Sequence, residues 1–176
     1  MTKSESFDVT PSSGAACRIT GSDFMLNSDK KILSLLSPLG VFLFLFDRFL
    51  KFQALHRWPG ARLLHPYLGW DPFHNPGVAF SLPLPNWLIL VLTAPIILLL
   101  GYLLASQFRQ PPIANFLSLV LVFAGALSNF IDRLWYGFTV DYLQIATGVI
   151  NLSDLLILAG FVLYFCCKSK TLSSKS

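Results

Sequence analysis

The sequence predicts an all-α membrane protein of four transmembrane helices, with a small β-like cradle outside the membrane between the first and second helices. Three observations carry that expectation. Of the 176 residues, 54% are hydrophobic and 12% charged, with a mean hydropathy of +0.62. A soluble domain carries about 25% charged residues, so this chain has too few to cover a water-facing surface. Four apolar segments reach the roughly 20 residues that cross a hydrocarbon core about 30 Å thick. Aromatic and turn-forming residues are concentrated between the first two, from Phe52 to Asn86. The same composition excludes a disordered chain, which needs low hydrophobicity and high charge. With three cysteines it also excludes a disulfide-stapled secreted module. The net charge is +4, but the basic residues flank apolar segments and form no patch that could follow phosphates. No nucleic-acid partner is expected.

The first span runs from Ile32 to Leu50, behind Lys30 and Lys31, and carries Asp47 and Arg48 near its far end. The second runs from Trp87 to Ala105, the third from Ile113 to Ile131 and the fourth from Val149 to Cys167. Backbone groups in lipid must be satisfied internally, so each is read as a helix. The second and third are joined by residues 106–112 alone, which makes them an antiparallel hairpin. Pro38 and Pro95 lie inside spans and are expected to kink them. Residues 1–30, rich in Ser and Thr, read as a flexible cytoplasmic arm, residues 31–167 as the membrane domain and residues 168–176 as a cytoplasmic tail. Gly14-Ala15-Ala16-Cys17 in the arm looks like a lipidation site, but no apolar run precedes it. No small-x-small cleavage site follows the first span, which is read as retained. Lys and Arg number eight on the side holding both termini and five on the other. By the positive-inside rule both termini are cytoplasmic.

Polar residues at the ends of spans are costly in lipid and are therefore candidates for function. Asp47, Asn129, Asp132, Arg133, Asn151 and Asp154 gather at one level, at the outer ends of the first, third and fourth spans, and Asp141 lies in the outer loop beside them. Asn129 and Arg133 are four apart and share a helix face, able to address one neighbour. Asn151 can cap the fourth helix, whose dipole favours an ionised Asp154. Two carboxylates held close together cannot both ionise easily. One keeps a proton while the other stays charged, the arrangement that activates water and protonates a leaving amine. Peptide hydrolysis at a membrane surface is the chemistry this suggests.

Each residue also has a plainer reading. Asp132 and Arg133 can be an ion pair anchoring the third helix; Arg48, Lys51, Arg57 and Arg62 read as solvated or headgroup-facing. Asp47 fits structural pairing as well as substrate contact, and Asp141 and Asp154 fit a buried structural network as well as a catalytic pair. His56, His65 and His74 lack the spacing of a helical zinc site, so no metal is expected. Cys17, Cys166 and Cys167 lie on the cytoplasmic side, where no disulfide is expected. Trp58, Trp70 and Trp87 read as an interfacial aromatic belt. A proton or ion conductor using Asp47, Asp141 and Asp154 would need ionisable groups through the bilayer depth, and the middle of each span has none.

Four blocks together resemble the lipoprotein signal peptidase (signal peptidase II) family: Phe46-Asp47-Arg48-Phe49-Leu50-Lys51, Asn75-Pro76-Gly77-Val78-Ala79-Phe80-Ser81, Ser128-Asn129-Phe130-Ile131-Asp132-Arg133 with Val140-Asp141-Tyr142, and Asn151-Leu152-Ser153-Asp154. The resemblance covers residues 32–167. It implies an aspartyl endopeptidase of the bacterial cytoplasmic membrane that cuts a diacylglyceryl-modified prolipoprotein before its lipid-bearing cysteine, with the active site on the extracytoplasmic face. It also implies Asp141 and Asp154 as the catalytic pair, with Asp47, Asn75, Asn129, Arg133 and Asn151 supporting the site and binding substrate. The partners it implies are lipid-modified prolipoproteins and membrane lipids; a monomer without metal or organic cofactor is expected. Ser128 stands where the family usually has Gly and Ser153 where it usually has Ala. Ser153 is expected to place a hydroxyl beside the pair. A catalytically dead homologue would lack one of the two aspartates, and neither is missing.

Overall fold

The computed structural model describes residues 21–65, 67–77, 84–106 and 113–173, with side chains described only within residues 35–166 and not at residue 65. The expectations for the first twenty residues, the Arg109 connection and Val78 to Ser81 fall outside that range.

Four long helices and a four-stranded sheet make up the described chain. Helix α1 (Gly21–Phe52) continues into a single π-helical turn, Gln53–Arg57. Strands β1 (Arg62–His65) and β2 (Leu68–Asn75) precede α2 (Asn86–Ser106) and α3 (Ile113–Tyr136); β3 (Thr139–Ile145) and β4 (Gly148–Ile150) precede α4 (Leu152–Ser173). Helix α3 is central and packs against the other three. Its buried residues Phe116, Val120, Ala124, Ser128 and Asp132 recur every fourth position and form one continuous stripe, as the helical period requires. The stripe is apolar for three turns and polar at its C-terminal end, where the candidate site lies. Helix α2, by contrast, has no charged residue and is exposed along most of its length, with Leu98 at 75%. A helix apolar on every side belongs in lipid or in a core.

By length and composition α2 and α3 can each cross a membrane, with mean hydropathies of 2.6 and 1.8. Among the described residues α1 and α4 do not pass the same test. Asp47, Arg48 and Lys51 crowd the last turns of α1, and the apolar part of α4 is the shorter stretch Leu152–Cys166. Among the described residues four long helices are present, and α2 and α3 are both long and apolar enough to cross a membrane. Both α1 and α2 run through their prolines, Pro38 and Pro95.

Three boundaries differ from the sequence expectation. Helix α1 begins at Gly21, so residues 21–30, assigned to the arm, are helical. The cradle is not confined to the connection between α1 and α2: the sheet runs β1-β2-β3-β4, every pair antiparallel, and its second half comes from the connection between α3 and α4. Gly137, with φ +80°, stops α3, and Thr139–Ile145 then supplies the β-branched and aromatic residues that strands favour. Val149 and Ile150, expected to open the fourth span, instead pair with Gln144 and Leu143. Beneath the sheet, Ala54, Val140 and Tyr142 form a buried cluster joined by Leu50, Trp70 and Leu152. Trp70 is thus part of a core and not of an aromatic belt: its ring lies 5.0 Å from that of Tyr142 and its Nε1 donates to the Trp58 carbonyl (2.9 Å). Trp58 and Trp87 are exposed.

Small residues bring α3 and α4 together. A Cβ at Gly160 would come within 2.6 Å of Val122 Cγ2 and 2.8 Å of the Ser118 carbonyl, and one at Gly125 would run into the carbonyl oxygen of Ser153. Close backbone approach through small residues is how helices associate without a hydrophobic driving force. Gly125→Ala is therefore expected to destabilise the fold by about 1–3 kcal/mol, measured as a lower midpoint of thermal unfolding in detergent. Backbone cannot move aside as a flexible side chain can.

Candidate active site

The site lies where α1 and α3 end, α4 begins and the sheet closes over them. Asp141 lies on β3 between the buried Val140 and Tyr142. Successive strand residues point to opposite faces, so those two face the core and Asp141 faces away from it. Asp154 is in the first turn of α4.

Asn151 holds both carboxylates. Its Oδ1 accepts the backbone N–H of Asp154 (2.9 Å), while its own N–H donates to Asp154 Oδ2 (3.3 Å). This reciprocal arrangement is a capping box, built here with Asn and Asp three residues apart. With its oxygen committed, the Asn151 amide must turn its nitrogen outward, and Nδ2 donates to Asp141 Oδ1 (2.6 Å). Two other asparagines repeat the pattern. Asn75 Oδ1 accepts the N–H of Gly77 (3.0 Å), and its Nδ2 donates to Asp141 Oδ2 (3.0 Å). Asn129 Oδ1 accepts from Lys51 Nζ (2.7 Å), and its Nδ2 donates to Asp154 Oδ1 (2.8 Å). Each carboxylate oxygen therefore has a donor, and every donating amide is held by its own oxygen. An amide with a fixed acceptor cannot flip.

Asp141 is 1% exposed. Burial is the main reason its pKa is raised from 3.8 to about 6, with the charge of Asp154 adding to the rise, and the donors Asn75 and Asn151 and the cation Lys51 opposing it. Burial disfavours the charged form.

Below the pair, Asp47 is completely buried and fully occupied. Oδ2 accepts from the hydroxyls of Ser128 and Ser153, both at 2.6 Å, and Oδ1 accepts from the Tyr142 hydroxyl (2.9 Å) and the Ser153 N–H (3.2 Å). The Tyr142 oxygen in turn accepts the N–H of Leu152 (3.1 Å). Lys51 Nζ reaches Asp47 (3.2 Å) and Asp132 (2.8 Å), and Asp132 also pairs with Arg48 and accepts the N–H of Val140 (3.2 Å). Arg133 is 93% buried: Nη2 donates to the Gly77 carbonyl, whereas Nη1 has no hydrogen-bond partner among the described residues.

The signal peptidase (SPase) II family model matches residues 39–169 of this chain. The chain belongs to that family. Among similar proteins, the lipoprotein signal peptidase of Allorhizobium ampelinum is 36% identical over 132 residues, covering 69% of this chain and 80% of its own. That of Lactococcus lactis subsp. lactis is 38% identical over 95 residues, covering 52% and 62%. A solved bacterial membrane enzyme has the same fold, with a TM-score of 0.68 over 80% of this chain and 91% of its own, at 24% identity. The family resemblance drawn from the four sequence blocks is borne out.

Against that family frame, several residues sit elsewhere than their sequence positions implied. Lys51 and Arg48 are not solvated: Lys51 has no exposed side-chain surface and Arg48 only 21%, because both neutralise buried carboxylates. Arg57 and Arg62 are exposed. Asp132 pairs across to α1 and not with its neighbour Arg133. Asn129 and Arg133 share a face but diverge, one to Asp154 and the other to Gly77. The Ser153 hydroxyl turns away from Asp141 and Asp154 and binds Asp47. His56 stacks on Phe52 and His74 on Phe138. Lys51 was the residue sequence reading missed, and its signal was its place four residues after Asp47, which puts both on one face of α1.

Proposed function

We propose that this protein is an aspartic endopeptidase that removes the signal peptide from diacylglyceryl-modified prolipoproteins, cutting immediately before the lipid-bearing cysteine. Asp141 and Asp154 share the activation of one water. The reading rests on one observation above all: a single residue, Asn151, is hydrogen-bonded to both carboxylates, which ties two acids from different elements into one unit. Membership of the signal peptidase II family supports the substrate class.

In this reading Asp141 holds the proton at rest: it is 1% exposed while Asp154 is only half-buried, and burial favours the neutral form. Asp154, with a backbone N–H and an amide on its two oxygens, is the ionised partner. Asp154 takes a proton from water as the water oxygen attacks the scissile carbonyl. The proton on Asp141 stabilises the developing oxyanion and passes to the leaving amine as the C–N bond breaks. The pair ends with its single proton on Asp154, and a shift back to Asp141 resets it. The open Nη1 of Arg133 holds a carbonyl of the substrate's main chain, and Asn75, Asn129 and Asn151 keep the acids in register. Asp47 orders the ends of α1, α3 and α4 beneath them.

The four helices span the bacterial cytoplasmic membrane, both termini lie in the cytoplasm and the sheet rests on the outer surface. All the polar groups of the site lie at one end of the bundle, and the 21 residues of α2 give a rise of about 30 Å, the thickness of the hydrocarbon core. An apolar cavity of about 420 Å³ between α1 and α3, lined by Gly40, Phe44, Phe116, Phe123, Ala124 and Leu127, lies one turn from Asp47 and Ser128. It suits the apolar part of a lipid-anchored substrate.

The test is to incubate the purified protein with a lipid-modified prolipoprotein and with its unmodified form, and to sequence the products. The expected result is cleavage before the modified cysteine only, undiminished in EDTA. Equal cleavage of the unmodified form, or a loss in chelator that metal restores, would overturn the reading.

The pH dependence follows from the same proton. Asp141 loses it as pH rises through about 6, so the alkaline limb of kcat/KM, which reports the free enzyme, is expected there. Asn75 opposes the raised pKa of Asp141 by donating to the ionised form. Asn75→Leu is expected to move that limb to higher pH while lowering the rate. The folded pKa lies above the unfolded one, so the stability this group contributes is complete below pH 3.8 and is lost as pH rises through about 6.

A further inference from the structure

Three asparagine amides orient the two acids, and each depends on whatever holds its oxygen. For Asn75 and Asn151 the holder is a backbone N–H, of Gly77 and Asp154. For Asn129 it is a side chain, Lys51 Nζ at 2.7 Å. We infer that Lys51 is a positioning residue for the proposed reaction: by donating to Asn129 Oδ1 it forces Asn129 Nδ2 onto Asp154 and keeps that carboxylate the ionised member of the pair.

The ammonium is well placed for this. It is completely buried, and its three protons are shared among Asp132 (2.8 Å), Asn129 (2.7 Å), Asp47 (3.2 Å) and, more distantly, the Ser128 hydroxyl oxygen (3.5 Å). A lysine with every donor engaged has no freedom to release the amide. The charged and titratable groups around it are Asp47 and Arg48 on its own helix, Asp132 and Arg133 on α3, Asp141 and Tyr142 on β3, and Asp154 on α4. Only Asp47 and Asp132 touch the ammonium directly; its effect on Asp154 runs through Asn129 and through the field. The same field favours ionisation of Asp141. Without Lys51 the Asn129 amide is free to flip and present an oxygen to Asp154, acceptor against acceptor.

This inference rests on the aspartic reading above, and the experiment separates the two. Two variants of the full-length enzyme are assayed on lipid-modified prolipoprotein across pH. Lys51→Met with Asp132→Asn removes one charge of each sign, so the net charge of the cluster is unchanged; Asp47 keeps the hydroxyls of Ser128, Ser153 and Tyr142, and Arg48, 21% exposed, can turn toward water. Asn129→Leu breaks the link and leaves the ion cluster intact. In both, kcat is expected to fall about 10- to 100-fold with KM within about twofold. The acid limb of kcat/KM is expected to move up by about one pH unit, because the ionised pair has lost a donor. A folded Lys51→Met/Asp132→Asn enzyme with unmoved pH limbs, or a loss of rate that only follows the folded fraction, overturns the inference. If that variant does not fold, an unmoved acid limb in Asn129→Leu overturns it equally. If the unmodified protein cuts no lipid-modified substrate, the aspartic reading itself has failed.

Discussion

Asp141→Asn and Asp154→Asn are each expected to lower kcat by about 10²–10⁴-fold or more, in proteins that still fold. Neither change alters the size of the side chain, so the packing of β3 on the bundle and the start of α4 are preserved. Each places an amide nitrogen where one carboxylate oxygen now accepts from an asparagine: the side chain of Asn75 or Asn151 for position 141, the side chain of Asn129 or the backbone N–H of Asn151 for position 154. The donor-to-donor contact costs about 1–3 kcal/mol. Removing a carboxyl whose charged form is disfavoured by burial offsets part of that at position 141. Activity and folding therefore separate, and rates compared at a temperature where all three proteins are folded measure chemistry alone. Wild-type kcat in either variant would remove that carboxylate from the reaction.

The two substitutions also differ in a way that identifies the resting proton. With Asp141→Asn the acid is missing and the base remains, so attack by water is less impaired than departure of the amine. With Asp154→Asn the base is missing, and no group is left to take the proton from water. A substrate with a better leaving group is expected to recover part of the rate in Asp141→Asn and little in Asp154→Asn. Recovery in the opposite order would mean that the proton starts on Asp154.

The sequence made the helices legible because lipid imposes one rule on all of them: an apolar run of fixed length, with polar residues at its ends. Thus α2 and α3 lie within a few residues of their expected bounds. The site residues were legible as a level, since Asp47, Asn129, Asp132 and Asn151 all fall at the ends of runs. Pairing within that level was not. Which cation meets which carboxylate depends on the rotation of each helix about its axis, and the small residues that fix it, Gly40 on α1 against Val120 of α3 and Gly125 and Gly160 where α3 meets α4, act through contacts between helices. That is why Lys51, read as a headgroup contact, is instead a buried partner of Asp132. The sheet was half legible for a related reason. β4 is only three residues long and β3 is interrupted by Asp141 and Gln144, and they become strands through pairing with β2 and with each other.

Breaking the ion cluster at Asp132 is expected to be the most damaging single change to stability. Asp132→Ala leaves Lys51 buried with one carboxylate where it had two, removes the ion-pair partner of Arg48 and strips the N–H of Val140 of its acceptor. Removing one member of a buried ion pair costs about 3–5 kcal/mol, because the loss is dominated by the charge left behind. A lone arginine that is 21% exposed can turn toward water, but a lysine with no exposed surface cannot. Lys51→Met combined with Asp132→Asn removes one charge of each sign and leaves Asp47 with both serine hydroxyls and Tyr142, so it is expected to be far less destabilising than Asp132→Ala. Thermal unfolding in one detergent at one pH compares the two. If the double variant loses at least as much stability as Asp132→Ala, the cluster owes its stability to its own attraction; if it loses much less, as expected, the charges are retained for what they do to the asparagine and the aspartate above them.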